Sequence, residues 1–376
     1  MSIDQAWQSV QQLLAMMCQR GGSDMFITAD YSPAIKQDGK ITPLSQQIIS
    51  TDLSRALVLS TMNEIQRQEF LRTNECNFAI SIASIGRFRI SAFVQQGKVG
   101  MVIRTINTEI PDIDTLAVPA KLKDIVMHKH GLVLMVGATG SGKSTTLAAM
   151  IGYRNLHSHG HIITIEDPIE FVHLHRNCIV IQREVGSDTA DWHIALKNTL
   201  RQAPDVILIG EIRDRETMDH AIAFAETSHL CLATLHANNS NQALDRIINF
   251  FPEDRRTQLL MDLSLNLRAL ISQRLVPLKA GHGRCAAVEI LLNSPLIADL
   301  IHKGEIYAIK EAMKQSRELG MQTFDQALFE LITSNRISID EALRHADSMN
   351  DLRLAIKLYG QHFDTGKADH RRLEIL

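Results

Sequence analysis

The run Gly137-Ala138-Thr139-Gly140-Ser141-Gly142-Lys143-Ser144 constrains the fold more than any other part of the chain. An apolar stretch, residues 132–136, precedes it, and the helix-forming run Thr145-Thr146-Leu147-Ala148-Ala149-Met150 follows. A G-x-x-x-x-G-K-[ST] loop between a strand and a helix is the arrangement that phosphate binding requires. Glycines let the backbone curl until several N–H groups face one phosphate chain, and the helix adds the positive end of its dipole. From such a loop Lys143 reaches the β- and γ-phosphates, and the Ser144 hydroxyl can ligate Mg²⁺. Gly137 to Thr145 are therefore the expected contacts of a nucleoside triphosphate, ATP in the reading below.

Around the loop the pattern is that of an α/β protein. Residues 4–20 read as an amphipathic helix carrying Trp7, Val10, Leu13, Leu14 and Met17 at helical spacing. Short strands follow at 25–28 and 34–36, with a hairpin signal at Asp38-Gly39. A single helical stretch is expected over 51–71, then alternating runs at 77–82, 87–94 and 100–106, closing a small module near Thr108. Pro111 marks a linker over 109–118. Beyond it, apolar strands at 132–136, 161–165, 178–181, 206–209 and 230–235 alternate with helices at 144–156, 191–200, 215–227 and 241–249. That alternation predicts a parallel sheet covered on both faces. After about residue 252 the chain reads as helices broken at Gly281-His282-Gly283, Ser294-Pro295 and Gly320, with a polar, frayed tail at 364–376. The expected domains are 1–108, an ATPase domain over 119–280, and a helical region over 281–376.

Length and composition narrow the class. The chain has 376 residues, enough for two or three domains, and 45% hydrophobic residues. A formal charge of −3 and the lack of basic–aromatic stretches argue against nucleic-acid binding. The five cysteines form no CxxC pair, so neither a disulfide framework nor a zinc ribbon can be read from them, and reduced thiols are the simplest account. No apolar run approaches the ~20 residues of a membrane span, and Met1-Ser2-Ile3-Asp4-Gln5 lacks a signal pattern, so a cytoplasmic protein without a transmembrane segment is expected.

Hydrolysis needs acids as well as a phosphate cradle. The strand at 161–165 ends in Glu166-Asp167-Pro168-Ile169-Glu170, and ligands of open parallel sheets sit beyond the carboxyl ends of strands. Either Glu166 or Glu170 can then orient and deprotonate the attacking water; the alternative is a solvated turn around Pro168. The strand at 206–209 ends in Gly210-Glu211, where Glu211 can hold Mg²⁺ through its waters. His229 and His236 flank the strand at 230–235; His236, at its carboxyl end, is placed to sense the γ-phosphate, while His229 reads equally well as a capping residue. Arg87 and Arg89, two apart on one strand face, and Arg104 on the next strand are either surface charges or phosphate contacts made across a domain or subunit boundary.

Taken together, 137–144, the acidic 165–170 segment, Gly210-Glu211-Ile212-Arg213-Asp214 and Thr234-Leu235-His236 resemble the secretion-superfamily ATPases. Gly22-Ser23-Asp24, Gln182-Arg183-Glu184-Val185-Gly186 and Leu319-Gly320-Met321-Gln322-Thr323 narrow the resemblance to the type IV pilus retraction ATPases of the PilT/PilU group, over about 20–345. The resemblance implies a PAS-like N-terminal domain, a RecA-like P-loop ATPase domain and a C-terminal helical part. It also implies a homo-hexameric ring, with Arg87, Arg89 and Arg104 helping to form the nucleotide site, and a seat on an inner-membrane pilus platform protein at the pilus base. The extra N-terminal domain and four-cysteine zinc insertion of the extension-type ATPases are not seen. PilT-like members carry Pro at the position of Ala138 and two arginines where this chain reads 296–305; with the tail Asp347-Ser348-Met349-Asn350-Asp351-Leu352-Arg353-Leu354, these departures resemble the PilU branch. That branch implies a motor that assists a PilT-like paralogue. A nucleotide-gated scaffold without significant turnover is the competing reading.

Overall fold

The computed structural model describes residues 2–37, 40–106 and 109–359 in two units. The Asp38-Gly39 turn, the module end at Thr108 and the tail 364–376 lie outside the described residues.

The first unit comprises the described residues up to Glu109 together with Glu170–Val172. Its elements are α1 (Ile3–Gln19), β1 (Asp24–Ile27), β2 (Ala34–Gln37), β3 (Lys40–Pro43), α2 (Thr51–Ser60), α3 (Glu64–Thr73), β4 (Glu75–Ile82), β5 (Gly86–Gln95) and β6 (Lys98–Ile106). The strands form an antiparallel sheet in the order β3-β2-β1-β6-β5-β4. Ala6, Val10, Leu14 and Met17 of α1 recur at helical spacing, and this stripe is buried with Met25, Ile27, Phe88, Ile90 and Ile103 of the sheet. The single helix expected over 51–71 is two. The first ends at Ser60, capped by Thr61, and Asn63 starts the second: its side chain accepts from the Gln66 N–H at 2.9 Å while Gln66 Oε1 accepts from the Asn63 N–H at 3.0 Å. A reciprocal cap of this kind satisfies two amides that a continuous helix would have bonded internally.

In the second unit follow α4 (Lys121–Val126), β7 (Gly131–Val136), α5 (Lys143–His157), β8 (Gly160–Glu166), β9 (Cys178–Glu184), α6 (Trp192–Thr199), β10 (Val206–Ile209), α7 (Arg215–Glu226), β11 (Leu230–Leu235), α8 (Ser240–Phe250) and α9 (Glu253–Asn266). After them come β12 (Leu267–Pro277), β13 (Arg284–Leu292), α10 (Pro295–Lys303), α11 (Ile309–Lys314), α12 (Phe324–Thr333), α13 (Ile339–His345) and α14 (Met349–Tyr359). Seven strands lie in the order β13-β12-β7-β11-β10-β8-β9, all neighbours parallel except the β12–β13 pair. Every residue of β7, β10 and β11 is buried, as expected of strands covered by helices on both faces.

The helical reading after residue 252 is overturned by β12 and β13, which form a hairpin on the edge of the sheet, so the sheet continues past residue 280 to Leu292. Gly281-His282-Gly283 lies between the strands rather than between helices, with Gly281 and Gly283 at φ +83° and +82°. A short leucine-rich run such as 267–277 fits a buried strand as well as a buried helix, and α9 passes into β12 without a turn residue to mark the change.

The helices beyond β13 are tied to that hairpin. Val276, Cys285 and Ala287 are buried with Phe324, Leu328, Ile337, Ala342 and Leu352. Beside them Asp347 receives Arg274 Nη2 and Lys310 Nζ, both at 2.6 Å, and the Arg274 guanidinium lies 4.0 Å over the Phe324 ring. Burial pushes the Asp347 carboxyl up, but the hydrogen bonds and charges of Lys310 and Arg274 outweigh it and hold the group below the usual carboxylate range. Because removing one partner leaves buried charge uncompensated, Asp347→Ala is expected to cost about 3 kcal/mol of stability. Limited proteolysis should then cut the C-terminal helices first; an unchanged cleavage pattern and melting midpoint would show that Asp347 does not fasten them.

Candidate nucleotide site

The loop 137–142 leaves β7 and enters α5 at Gly142, whose φ of +85° favours glycine. A Cβ on Gly137 would lie 2.4 Å from Ser141 Oγ, and one on Gly142 would lie 2.7 Å from Gln273 Nε2. The curl thus has no room for side chains at these two turns. Lys143 is buried, and its Nζ donates to the carbonyls of Gly137 at 2.6 Å and Ala138 at 3.0 Å, so the ammonium lies across the mouth of the loop. Ser141 Oγ is buried and makes no hydrogen bond. An orphaned donor, a buried ammonium and the free amides of a helix N-terminus in one concavity suit an anion. Ser144 and Thr145, in the first turn of α5, are partly exposed.

Sequence reasoning missed a residue that holds the loop. Gln273 of β12 is buried; its Nε2 donates to Ser141 O at 2.9 Å and its Oε1 accepts from Thr146 Oγ1 at 2.9 Å. One amide thereby clamps the loop to the start of its helix. Its only sequence signal is a polar residue in an apolar run that reads equally well as a helix.

The parallel register brings three further elements to the same edge. Val136, Leu235 and Ser272 are paired in register across β11, β7 and β12, and Ile209 pairs with Ala233 and Ile165. Glu211, just past β10, is partly buried. Its Oε2 accepts from Arg213 Nε at 2.8 Å and its Oε1 lies 3.2 Å from His236 Nε2. Arg213 also lies 3.6 Å from the Asp167 carboxylate past β8. Gly210 N donates to Ile165 O, Ile212 N donates to Thr234 O, both at 2.8 Å, and Thr234 Oγ1 donates to Gly210 O, so the turn carrying Glu211 is fixed to both neighbours. Glu166 Oε1 accepts from Thr164 Oγ1 at 2.6 Å and Gln182 Nε2 at 3.2 Å. Its strand is three places from β7, about 14 Å along the edge at ~4.8 Å per strand.

His229 is not brought to this edge. It precedes Leu230, which pairs with Gly131 at the opposite end of β7, about 20 Å from the loop at ~3.3 Å per strand residue. There its backbone N–H caps α7 by donating to Phe224 O at 3.1 Å, and its ring contacts Thr227 Oγ1 at 3.1 Å. Within one chain, then, His229 is not brought together with the loop, Glu211 and His236.

Glu170, exposed, belongs to the first unit, as do the arginines. Arg89 pairs with Arg104 across β5 and β6, and Arg87 lies two residues along the same face. Like charges set directly opposite are unfavourable unless an anion offsets them. Arg104 Nε has one, donating to the buried Asp24 Oδ1 at 2.8 Å. Burial raises the Asp24 carboxyl, and the hydrogen bonds from Arg104 and Ser23 outweigh that and hold it low.

The turn after β11 is wired to the C-terminal helices. Arg274 Nη2 donates to Asn238 O at 2.9 Å, Asn239 Nδ2 donates to Asp347 Oδ2 at 3.1 Å, and the Ser240 N–H and hydroxyl both donate to Glu289 Oε1, at 2.7 and 2.6 Å. Burial pushes the Glu289 carboxyl up, and the Ser240 hydrogen bonds oppose the rise. The turn that follows His236 is thus hydrogen-bonded to both β12 and Asp347.

If the Gln273 clamp preorganises the loop, Gln273→Ala should raise the dissociation constants of ATP and ADP about tenfold, or about 1.4 kcal/mol. Calorimetric titration of the folded variant checks this, and wild-type affinity would dismiss the clamp.

A family profile described as "Type II/IV secretion system protein" matches residues 7–348. A relative from Pseudomonas aeruginosa named type IV pilus ATPase PilU is 60% identical over 360 residues, covering 96% of this chain and 93% of its own length. A second, type IV pilus retractation ATPase PilT of the same organism, is 39% identical over 90% of this chain and 98% of its own length. The solved structure described as the pilus retraction motor PilT with bound ADP superposes with a TM-score of 0.86 at 37% identity, covering 91% of this chain and 98% of that one. Among the described residues no helix is long and apolar enough to cross a membrane. With the phosphate loop, its Gln273 clamp and the Glu211–His236 pair on one sheet edge, the chain belongs to the type II/IV secretion system protein family and, within it, to the PilT/PilU group of type IV pilus ATPases.

Proposed function

We propose that this chain is a motor ATPase that hydrolyses ATP to drive or assist type IV pilus retraction, acting with a PilT-like paralogue. The observation that carries the reading is the Glu211 carboxylate, fixed between Arg213 and His236 two strands from the phosphate loop. A scaffold that only senses nucleotide needs the loop but not a buttressed acid beside it.

In this account Gly137 to Thr145 wrap the triphosphate and Lys143 releases the loop carbonyls to pair with the β- and γ-phosphates. The Ser144 hydroxyl and the Glu211 carboxylate form an all-oxygen donor set suited to Mg²⁺, with Glu211 acting through water. When bound, the ion spreads the charge of the phosphates. His236 meets the γ-phosphate end and exchanges its Glu211 contact for it. Glu166, oriented by Thr164 and Gln182, is one proposed general base, and Glu170 is the alternative. Arg87, Arg89 and Arg104 serve the phosphates held by another copy in a homo-hexameric ring. Loss of the γ-phosphate frees His236, and the pull passes through Asn238 and Asn239 to Arg274 and Asp347. Docked on a pilus platform protein at the inner membrane, the ring would convert that motion into traction.

Glu211→Gln and Glu166→Gln should each lower kcat 10²- to 10⁴-fold while ATP affinity stays within a few fold, whereas Lys143→Ala should lose binding itself. Steady-state phosphate release alongside fluorescent-nucleotide binding separates the cases, and Glu170→Gln in the same assay decides between the two bases. Single-stranded DNA should leave the rate unchanged. In cells, pilus retraction should require this chain's Lys143 only in company with the paralogous motor; full retraction by a Lys143→Ala strain would contradict the role.

A further inference from the structure

On the side of the second unit formed by α6 and α7, His193, Glu216 and His220 converge. One ligand atom from each lies within 4.8 Å of the other two. Glu216 and His220 are four apart on α7 and so share a face. His193, in the first turn of α6, puts Nδ1 in direct contact with Glu216 Oε1, and its ring centroid is 5.9 Å from that of His220. Both helices are rigidly framed. Asp191 Oδ1 caps α6 by accepting from Ile194 N at 2.7 Å, and Asp214 Oδ1 caps α7 by accepting from Thr217 N at 2.8 Å. Ala195 and Leu196 of α6 are buried in the same cluster as Met218, Ala221 and Ile222 of α7. The three side chains are therefore brought together by helices whose packing does not depend on them. Among the described residues no other group of three metal-ligating side chains gathers this closely.

We propose that His193, Glu216 and His220 form a binding site for one borderline divalent transition-metal ion of the Zn²⁺ class. Two imidazoles and a carboxylate match the ligand types such ions take, whereas Mg²⁺ and Ca²⁺ favour oxygen alone. Three protein ligands leave a coordination position for water, and the exposure of His193 and Glu216 gives the ion an entry path. The ion would bridge α6 to α7, the helices on either side of β10 in sequence. Trp192, next to His193, packs against Gly210: its ring lies 3.4 Å from where a Gly210 Cβ would stand, one residue before Glu211. A metal there stiffens the support of the turn that carries Glu211. This site is separate from the Mg²⁺ position at the phosphate loop and does not rest on hydrolysis.

The test uses the full chain, stripped with chelator, free of nucleotide and in excess Mg²⁺. Calorimetric titration with Zn²⁺ should give one site per chain, and Zn²⁺ should raise the melting midpoint. His193→Ala, Glu216→Ala and His220→Ala should each weaken binding at least tenfold and remove the midpoint shift; the circular dichroism of each variant without metal shows that it is folded. The Co²⁺ adduct should show d–d absorption without a thiolate charge-transfer band. Wild-type affinity in the folded variants, a thiolate band, or no saturable Zn²⁺ binding would each overturn the assignment.

Discussion

The parallel register of β12, β7, β11, β10 and β8 is the constraint on which the rest depends. Because these neighbours run in one direction, whatever follows β7, β11, β10 and β8 emerges at one edge. The phosphate loop follows β7, His236 follows β11, Glu211 follows β10 and Glu166 ends β8. No single contact assembles the site; the hydrophobic burial of fully buried strands does, and that is non-directional and strong. The polar contacts then sharpen it. Thr234 and Ile212 tie the Glu211 turn to β11, and Gln273 ties the loop to its helix. A shift of one residue in any of these strands would exchange the side chains packed on its two covered faces, so the positions of the acids are set by the core.

The β12–β13 hairpin gives the nucleotide edge a second role. β12 lies directly beside β7, so Gln273 faces the loop while the next residue, Arg274, faces the C-terminal helices. Successive strand residues point to opposite faces, and here that alternation places the clamp and the link to Asp347 one residue apart. Asn238, Asn239 and Ser240 join the same network from the turn after β11. Such a network, partly buried and closely hydrogen-bonded, favours discrete arrangements over gradual deformation.

Much of this was legible in the residues. The loop, Glu166, Glu211 and His236 stand out because each follows an apolar run, which places them at one edge of the sheet, and strands alternating with helices imply the parallel sheet. What escaped reading needed partners distant in sequence. Gln273 is 132 residues from the carbonyl it binds, and nothing local in 267–277 separates strand from helix. His229 and His236 look alike as strand-flanking residues; only the direction of β11 tells them apart. Asn63 offered a visible cap signal with Gln66 three residues on, which the apolar content of 51–71 obscured. The pair Glu216 and His220 was readable at helical spacing, while His193 could be joined to it only by the packing of α6 on α7.

Whether the edge is a hydrolytic engine or a nucleotide gauge is decided most directly by phosphate release from the purified chain under saturating Mg²⁺–ATP, with Lys143→Ala measured beside it. The account predicts many phosphates released per chain by the wild type and none above background by the variant. Release from the wild type that does not exceed that of Lys143→Ala, under conditions where it binds ATP, would contradict it.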